Sequence, residues 1–248
     1  MLGIGRRTLK RIGIAILMAL AVPLLWICFM WITLPRAERL TTKNPPTTAF
    51  IERYMERSES DSKLPQLQWR WVEYEDISVH MKRAAVAAED IEFFSHSGFS
   101  QAEIGAAVRK AIREREAPRG ASTITQQTAK NLWLSPSRNP VRKLKEYFLT
   151  RRLEYALSKS RILEIYLNVA EFGVGIYGVG AAAEYYFHKP ASALSEHESA
   201  LLAASLPRPS SWNPSSDSPY YLGYADEIEH RMRQSEFLWR HLDPANPL

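Results

Sequence analysis

The sequence predicts a mostly α-helical chain, with one helix long enough to cross a bilayer followed by a single helical domain. Three observations predict it. Residues 12–34 form an uncharged apolar run, helix-capping patterns recur through the remainder, and no series of strands alternates with those helices. A doubly wound α/β sheet would need that alternation.

The run IGIAILMALAVPLLWICFMWITL is 23 residues long. At about 1.5 Å per residue it reaches roughly 35 Å as a helix, enough for a hydrocarbon core roughly 30 Å thick with modest tilt. Pro23 would kink such a helix without forbidding it in lipid. Arg6, Arg7, Lys10 and Arg11 precede the run, so residues 1–11 read as a basic cytoplasmic tail and the rest of the chain as exported. Ala19-Leu20-Ala21 spells a small-x-small cleavage signal, but a cut there would leave the apolar Val22–Leu34 stretch at the new terminus, so an uncleaved anchor is expected.

The four basic residues of the tail supply four of the five units of formal net charge, leaving +1 on everything else. The chain is therefore not read as a nucleic-acid binder. Cys28 is the single cysteine and lies inside the apolar run, which excludes a disulfide framework.

Residues 35–65 read as a polar stalk and a first helix, Thr48 to Glu59, leading into a domain over 66–248. The aromatic stretch Leu67–Tyr74 reads as a short strand or an amphipathic edge. Ser78 opens a helix. Ser100-Gln101-Ala102-Glu103 spells a capping box with a helix to about Arg115, and Thr123-Ile124-Thr125-Gln126 has the same form. Asn139-Pro140 sets a cap before proline at the first helical position and starts the longest helix, Val141 to Leu157. Ser160 starts another to Asn168, Ser195 caps one that halts near Pro207, and Asp226 to Leu242 is the last.

Four stretches carry candidate chemistry. In Glu89-Asp90-Ile91-Glu92-Phe93-Phe94-Ser95-His96-Ser97-Gly98, Glu89 ends an alanine-rich helix. The negative helix end and the apolar approach disfavour its charged form, which suits a general base working near neutrality. Gly120 to Asn131 is crowded with hydroxyl and amide side chains, including Ser122, Thr123, Gln126 and Gln127, and with Lys130. A polar ligand groove would explain so many polar groups on one helix. Arg142 and Glu146 share a helical face four residues apart, with Lys143 beside them; such a cluster suits a pyrophosphate. Lys159 to Asn168 reads as a packing helix with a polar end.

These four blocks, in this order, resemble the signature motifs of glycosyltransferase family 51, the peptidoglycan glycosyltransferases. The matching elements are E-D-x-x-F-x-x-H-x-G at Glu89–Gly98, G-x-S-T-I-T-Q-Q at Gly120–Gln127 with Lys130-Asn131, R-K-x-x-E at Arg142–Glu146 and I-L-E-x-Y-L-N at Ile162–Asn168. The likeness covers roughly residues 67–209. It implies a lysozyme-like, mostly α fold and an inverting transfer in which Glu89 deprotonates the acceptor 4-hydroxyl of lipid II. Lys130, Arg142 and Lys143 would hold the departing undecaprenyl pyrophosphate, and Ser122, Thr123, Gln126 and Gln127 would contact substrate. Glu146 would be a second catalytic carboxylate, whether by orienting cations, assisting a metal or touching substrate.

No tightly bound cofactor is implied, only a labile Mg or Mn ion travelling with the pyrophosphate. The implied partners are lipid II, the growing glycan strand, the bilayer, and other cell-wall synthases and division proteins. The implied location is the inner membrane, single-pass, with the catalytic domain in the periplasm. The tail after Pro209 lacks the R-R-x-x-V-L block of bifunctional members, so a monofunctional version is expected.

Three further signals are set aside. Gly173 to Gly178 spells G-x-G-x-x-G without the βαβ context of a dinucleotide site and is read as a tight helix–helix turn. Ser60-Asp61-Ser62-Lys63 spells S-x-x-K without the other transpeptidase motifs. His96 is read as a hydrogen-bonded structural histidine rather than a metal ligand.

Overall fold

A computed structural model describes residues 6–101, 105, 113, 122–137 and 139–242. The helix expected from Ser100 to Arg115 lies almost wholly outside the described residues, as do Gly120 and Ala121. The chain divides into two compact units, one ending at Arg36 and one beginning at Ala37. The first is the helix α1 (Arg6–Thr33), with Pro23 inside it. Leu17, Leu20, Leu25 and Ile32 are among its exposed apolar side chains. Among the described residues it is the one helix long and apolar enough to cross a membrane, and it fits a membrane anchor.

The second unit is mostly α. It contains α2 (Ala49–Ser60), α3 (Val79–Glu89), α4 (Ile124–Trp133), α5 (Pro140–Ala156), α6 (Lys159–Val169), α7 (Val179–Phe187), α8 (Glu196–Ser205), α9 (Pro219–Gln234) and the single turn α10 (Trp239–Leu242). Side-chain caps set most of the starts. Thr48, Ser78, Thr123, Asn139, Ser158 and Ser195 each accept a backbone N–H of the first turn, and Thr123 and Ser195 form full capping boxes.

Two boundaries differ from expectation. Helix α6 is capped by Ser158 rather than started by Ser160. The last long helix begins at Pro219, not Asp226, because Ser218-Pro219 repeats the arrangement of a flanking residue before a first-turn proline, and it stops at Gln234.

Two packed layers position the site. Helix α3, buried from Met81 to Ala87, packs against α8 and α9. Alanines at the contact (Ala84, Ala85, Ala200, Ala203, Ala204) let the axes approach closely. Helix α4 packs against α5 and α6, and α6 is buried from Ile162 to Val169. Two cations are buried on α3. Arg83 Nη2 donates to Met232 O at 2.5 Å and its guanidinium lies over the Trp239 ring, which ties α3 to the end of α9. Lys82 Nζ donates to Tyr74 O at 3.0 Å.

A small sheet closes one side, in the order β1 (Gln68–Trp69), β3 (Ile176–Tyr177), β2 (Glu171–Gly173), with β1 parallel and β2 antiparallel to β3. The glycine-rich stretch is thus a hairpin between strands, not a turn between helices. Gly175 and Gly178 have φ of +77° and +78°, and a Cβ on Gly178 would lie 2.7 Å from Asn168 O. Asn168 pins the segment after β1 from the end of α6: its amide nitrogen donates to Val72 O and its amide oxygen accepts Val72 N–H, both at 2.7 Å. The structural reading of that motif agrees with its packing.

Candidate active site

Helix α4 organises the site. Gln126 and Gln127 are neighbours in sequence, but successive helical positions point about 100° apart, so each reaches a different carboxylate. Gln127 Nε2 donates to Glu89 Oε2 at 2.5 Å, and Gln126 Nε2 donates to Glu146 Oε1 at 3.4 Å. Lys130 follows one turn later, on the same side as both glutamines. It lies near enough to feel the charges of Glu89, Glu146, Arg142 and Lys143. Both predicted carboxylates and all three predicted cations therefore gather around one helix.

Glu89 is the last residue of α3. The residue is partly exposed, yet the surrounding protein atoms strip away enough water to raise its pKa, against the opposing pull of the Gln127 hydrogen bond and of Lys130. Tyr166, fully buried on α6, donates its hydroxyl to Gln127 Oε1 at 3.3 Å. That bond orients the amide so that its nitrogen faces Glu89. Lys130 is held below its ordinary pKa by desolvation, partly offset by Glu146 and Glu89.

Glu146 is 3% exposed and saturated with donors. Arg142 Nη1 lies 2.5 Å from Oε2, and Lys143 Nζ and Gln126 Nε2 both donate to Oε1. The side chain of Lys143 is 53% exposed, whereas that of Arg142 is mostly covered.

The polar crowd on α4 is largely directed inward. Thr123 donates to Gly98 O at 2.8 Å, Thr125 to Glu154 Oε1 at 2.5 Å and Thr128 to Ile124 O at 2.8 Å. Thr123, Thr125, Gln126 and Thr128 are all buried. A ligand groove is not needed to explain them, since internal partners satisfy them. Of the residues expected to contact substrate from this segment, exposed Ser122 and partly exposed Gln127 and Lys130 are reachable. Gln127 and Lys130 line a cavity of about 230 Å³ together with Tyr166, Phe50 and Glu171.

Sequence reasoning missed Asp90. Its side chain is wholly buried; Oδ2 accepts the N–H of Ile124 at 2.9 Å and Oδ1 bonds His96 Nε2 at 2.8 Å. Gly98 N–H donates to His96 Nδ1, so Nε2 carries the hydrogen shared with Asp90. His96 is thus a hydrogen-bonded structural residue. Tyr166 and Tyr224 were missed too. Both sit close enough to Glu89 for its charge to help raise their pKa, after burial.

Comparison with known proteins agrees with this arrangement. The family described as Transglycosylase matches residues 58–234. The biosynthetic peptidoglycan transglycosylase of Azoarcus sp. (strain BH72) is 42% identical over 231 residues, covering 93% of this chain and 98% of that protein. Proteins of the same description from Nitrosomonas eutropha and Shewanella amazonensis are each 44% identical, over 77% and 85% of this chain and 78% and 84% of their own lengths. With both the family match and relatives of this identity spanning most of its length, the chain belongs to the transglycosylase family.

Proposed function

We propose that this protein is an inverting peptidoglycan glycosyltransferase that polymerises lipid II, the undecaprenyl-pyrophosphoryl disaccharide-pentapeptide, into β-1,4-linked glycan and releases undecaprenyl pyrophosphate. The observation that carries the reading is the placement of a desolvated carboxylate, Glu89, beside a cation, Lys130, that also feels the Arg142–Lys143–Glu146 cluster. Glycan cleavage by a lysozyme-type enzyme would need the carboxylate but not the cations.

In this reading Glu89 takes the proton from the acceptor 4-hydroxyl as that oxygen attacks the anomeric carbon of the donor. The anomeric carbon–oxygen bond to pyrophosphate breaks on the opposite face, which inverts the linkage. A raised pKa makes Glu89 a stronger base once ionised. Lys130, Arg142 and Lys143 outweigh Glu146 by two positive charges, and stabilising the charge that develops on the leaving group is the larger electrostatic contribution. Arg142 Nε is buried without an acceptor among the described residues. Such a donor costs about 1–3 kcal/mol, which an incoming phosphate oxygen would recover.

Glu146 acts as a positioning residue, since both its oxygens already hold donors. For the same reason Glu146 offers no free oxygen to a Mg or Mn ion. Any such ion would arrive with the pyrophosphate. The chain works from the inner membrane, with α1 as its single anchor, the basic tail in the cytoplasm and the catalytic unit in the periplasm.

The test is to supply the detergent-solubilised full chain with lipid II and, separately, with finished peptidoglycan. Consumption of lipid II with formation of polymer is expected. Turnover of finished peptidoglycan alone would replace this reading with the hydrolytic one.

A further inference from the structure

The cavity beside Gln127 and Lys130 has a neighbour. Phe50, Glu171, Pro207 and Pro209 line both it and a second cavity of about 680 Å³, so the two adjoin. The far one is built differently from the catalytic one. Arg53 and Arg57 project from successive turns of α2, and Arg208 faces them from the loop after α8, its guanidinium 5.1 Å from the centre of the Trp212 ring.

Arg57 and Arg208 are exposed and Arg53 is partly so. No carboxylate among the described residues is ion-paired with any of the three. Glu171 is the one acidic residue in the lining; Tyr177 bonds its carboxylate and Arg57 acts on it from a distance. Three arginines against one glutamate leave two positive charges around the far groove.

A groove for uncharged sugar alone would want aromatic platforms and hydroxyl or amide partners. Partly exposed Phe50, packed on buried Tyr54 and Tyr177, supplies one such platform, but the arginine fork is matched to carboxylate or phosphate. In the strand this enzyme is proposed to make, pyrophosphate occurs only at the reducing end, held at the catalytic cavity. The carboxylates recur along the strand on its stem peptides.

We propose that Arg53, Arg57 and Arg208 form a track for the acidic stem peptides of the elongating strand, holding polymer by charge while the sugars slide past Phe50. The proposal rests on the glycosyltransferase reading and names the part of the substrate that the far groove takes. Exposed charge pairs are individually weak, which suits a strand that must advance after each addition.

The test compares lipid II bearing free stem carboxylates with lipid II in which they are amidated, using the full chain in neutral detergent. Wild type and the Arg53→Gln/Arg57→Gln double variant are assayed for strand length and elongation rate. Amidation should slow the wild type about fourfold, the product of two exposed pairs at roughly twofold each. The double variant should be slowed by a similar factor on the acidic substrate and should respond less than twofold to amidation.

If both proteins respond equally to amidation, or neither responds, the proposal is overturned; a variant defect that persists on the amidated substrate assigns the arginines to another anion, such as a lipid headgroup. Arg208→Gln, on the opposite wall, gives the same reading should the double variant fail to fold by circular dichroism. Absence of polymer from wild type on both substrates would instead remove the glycosyltransferase reading and this inference with it.

Discussion

Glu89 and Glu146 flank the same helix and live in opposite surroundings. Glu89 is partly exposed and gripped by one neutral amide, with Lys130 acting on it only through space. Glu146 is buried and receives an arginine, a lysine and an amide at once. The first carboxylate keeps an oxygen available for chemistry, while the second has none to offer. The difference teaches that two acidic residues of similar motif context can divide into a reactive group and a brace, and that the division follows from how many donors each already holds.

The comparison can be broken at four points. Glu89→Gln should reduce polymerisation about a thousandfold, within the range for loss of a general base, with lipid II binding changed only a few fold. Polymer at the wild-type rate would remove Glu89 from the reaction. Glu146→Ala should act first on the fold. Arg142 would be left mostly covered and unpaired, at a cost of about 3 kcal/mol, and thermal denaturation should register it before any assay does. A variant that melts like the wild type but has lost all activity would mean that Glu146 itself meets the substrate.

A pH titration sharpens the contrast. Glu89 must be ionised to act, so the acidic limb of kcat/KM should lie above the ordinary carboxylate range. The stability effect has a definite sign. Because the folded pKa is raised, the folded chain keeps a proton that the unfolded chain has lost between the two pKa values, so stability falls as pH rises through that window. Glu89→Gln should abolish this slope and melt slightly higher at neutral pH. A variant less stable than wild type there would show that the ionised carboxylate is a net support of the fold.

The smallest effect is expected from Lys143→Ala. Its half-exposed side chain should contribute several fold to the affinity of a lipid-pyrophosphate analogue, leaving the melting temperature almost unchanged. Titration with that analogue measures it, and an unaltered affinity would take Lys143 out of the anion site.

Much of this was legible in the chain because it is written in local chemistry. Caps at Thr48, Thr123, Asn139 and Ser195 announce their helices within four residues, and the spacing of Arg142 and Glu146 places both on one face. What stayed hidden depends on partners far apart in sequence. Nothing near Thr125 signals that its hydroxyl would meet Glu154, so a buried polar helix resembled a ligand surface. The β2–β3 hairpin is too short to announce itself by alternation, and it is anchored by β1, about a hundred residues earlier. The role of Asp90 was masked by Glu89 beside it, whose position at the helix end drew the chemical argument.

That neighbour has a consequence for accuracy at the reacting atoms. Asp90 follows the base directly in the chain and grips the first amide of the helix that carries Gln127. The base and the amide that aims it are therefore located by one shared rivet, with His96 as its washer. Thermal drift of either helix carries both groups together, so the gap between them is insulated from motions that would spoil a site assembled from independent supports.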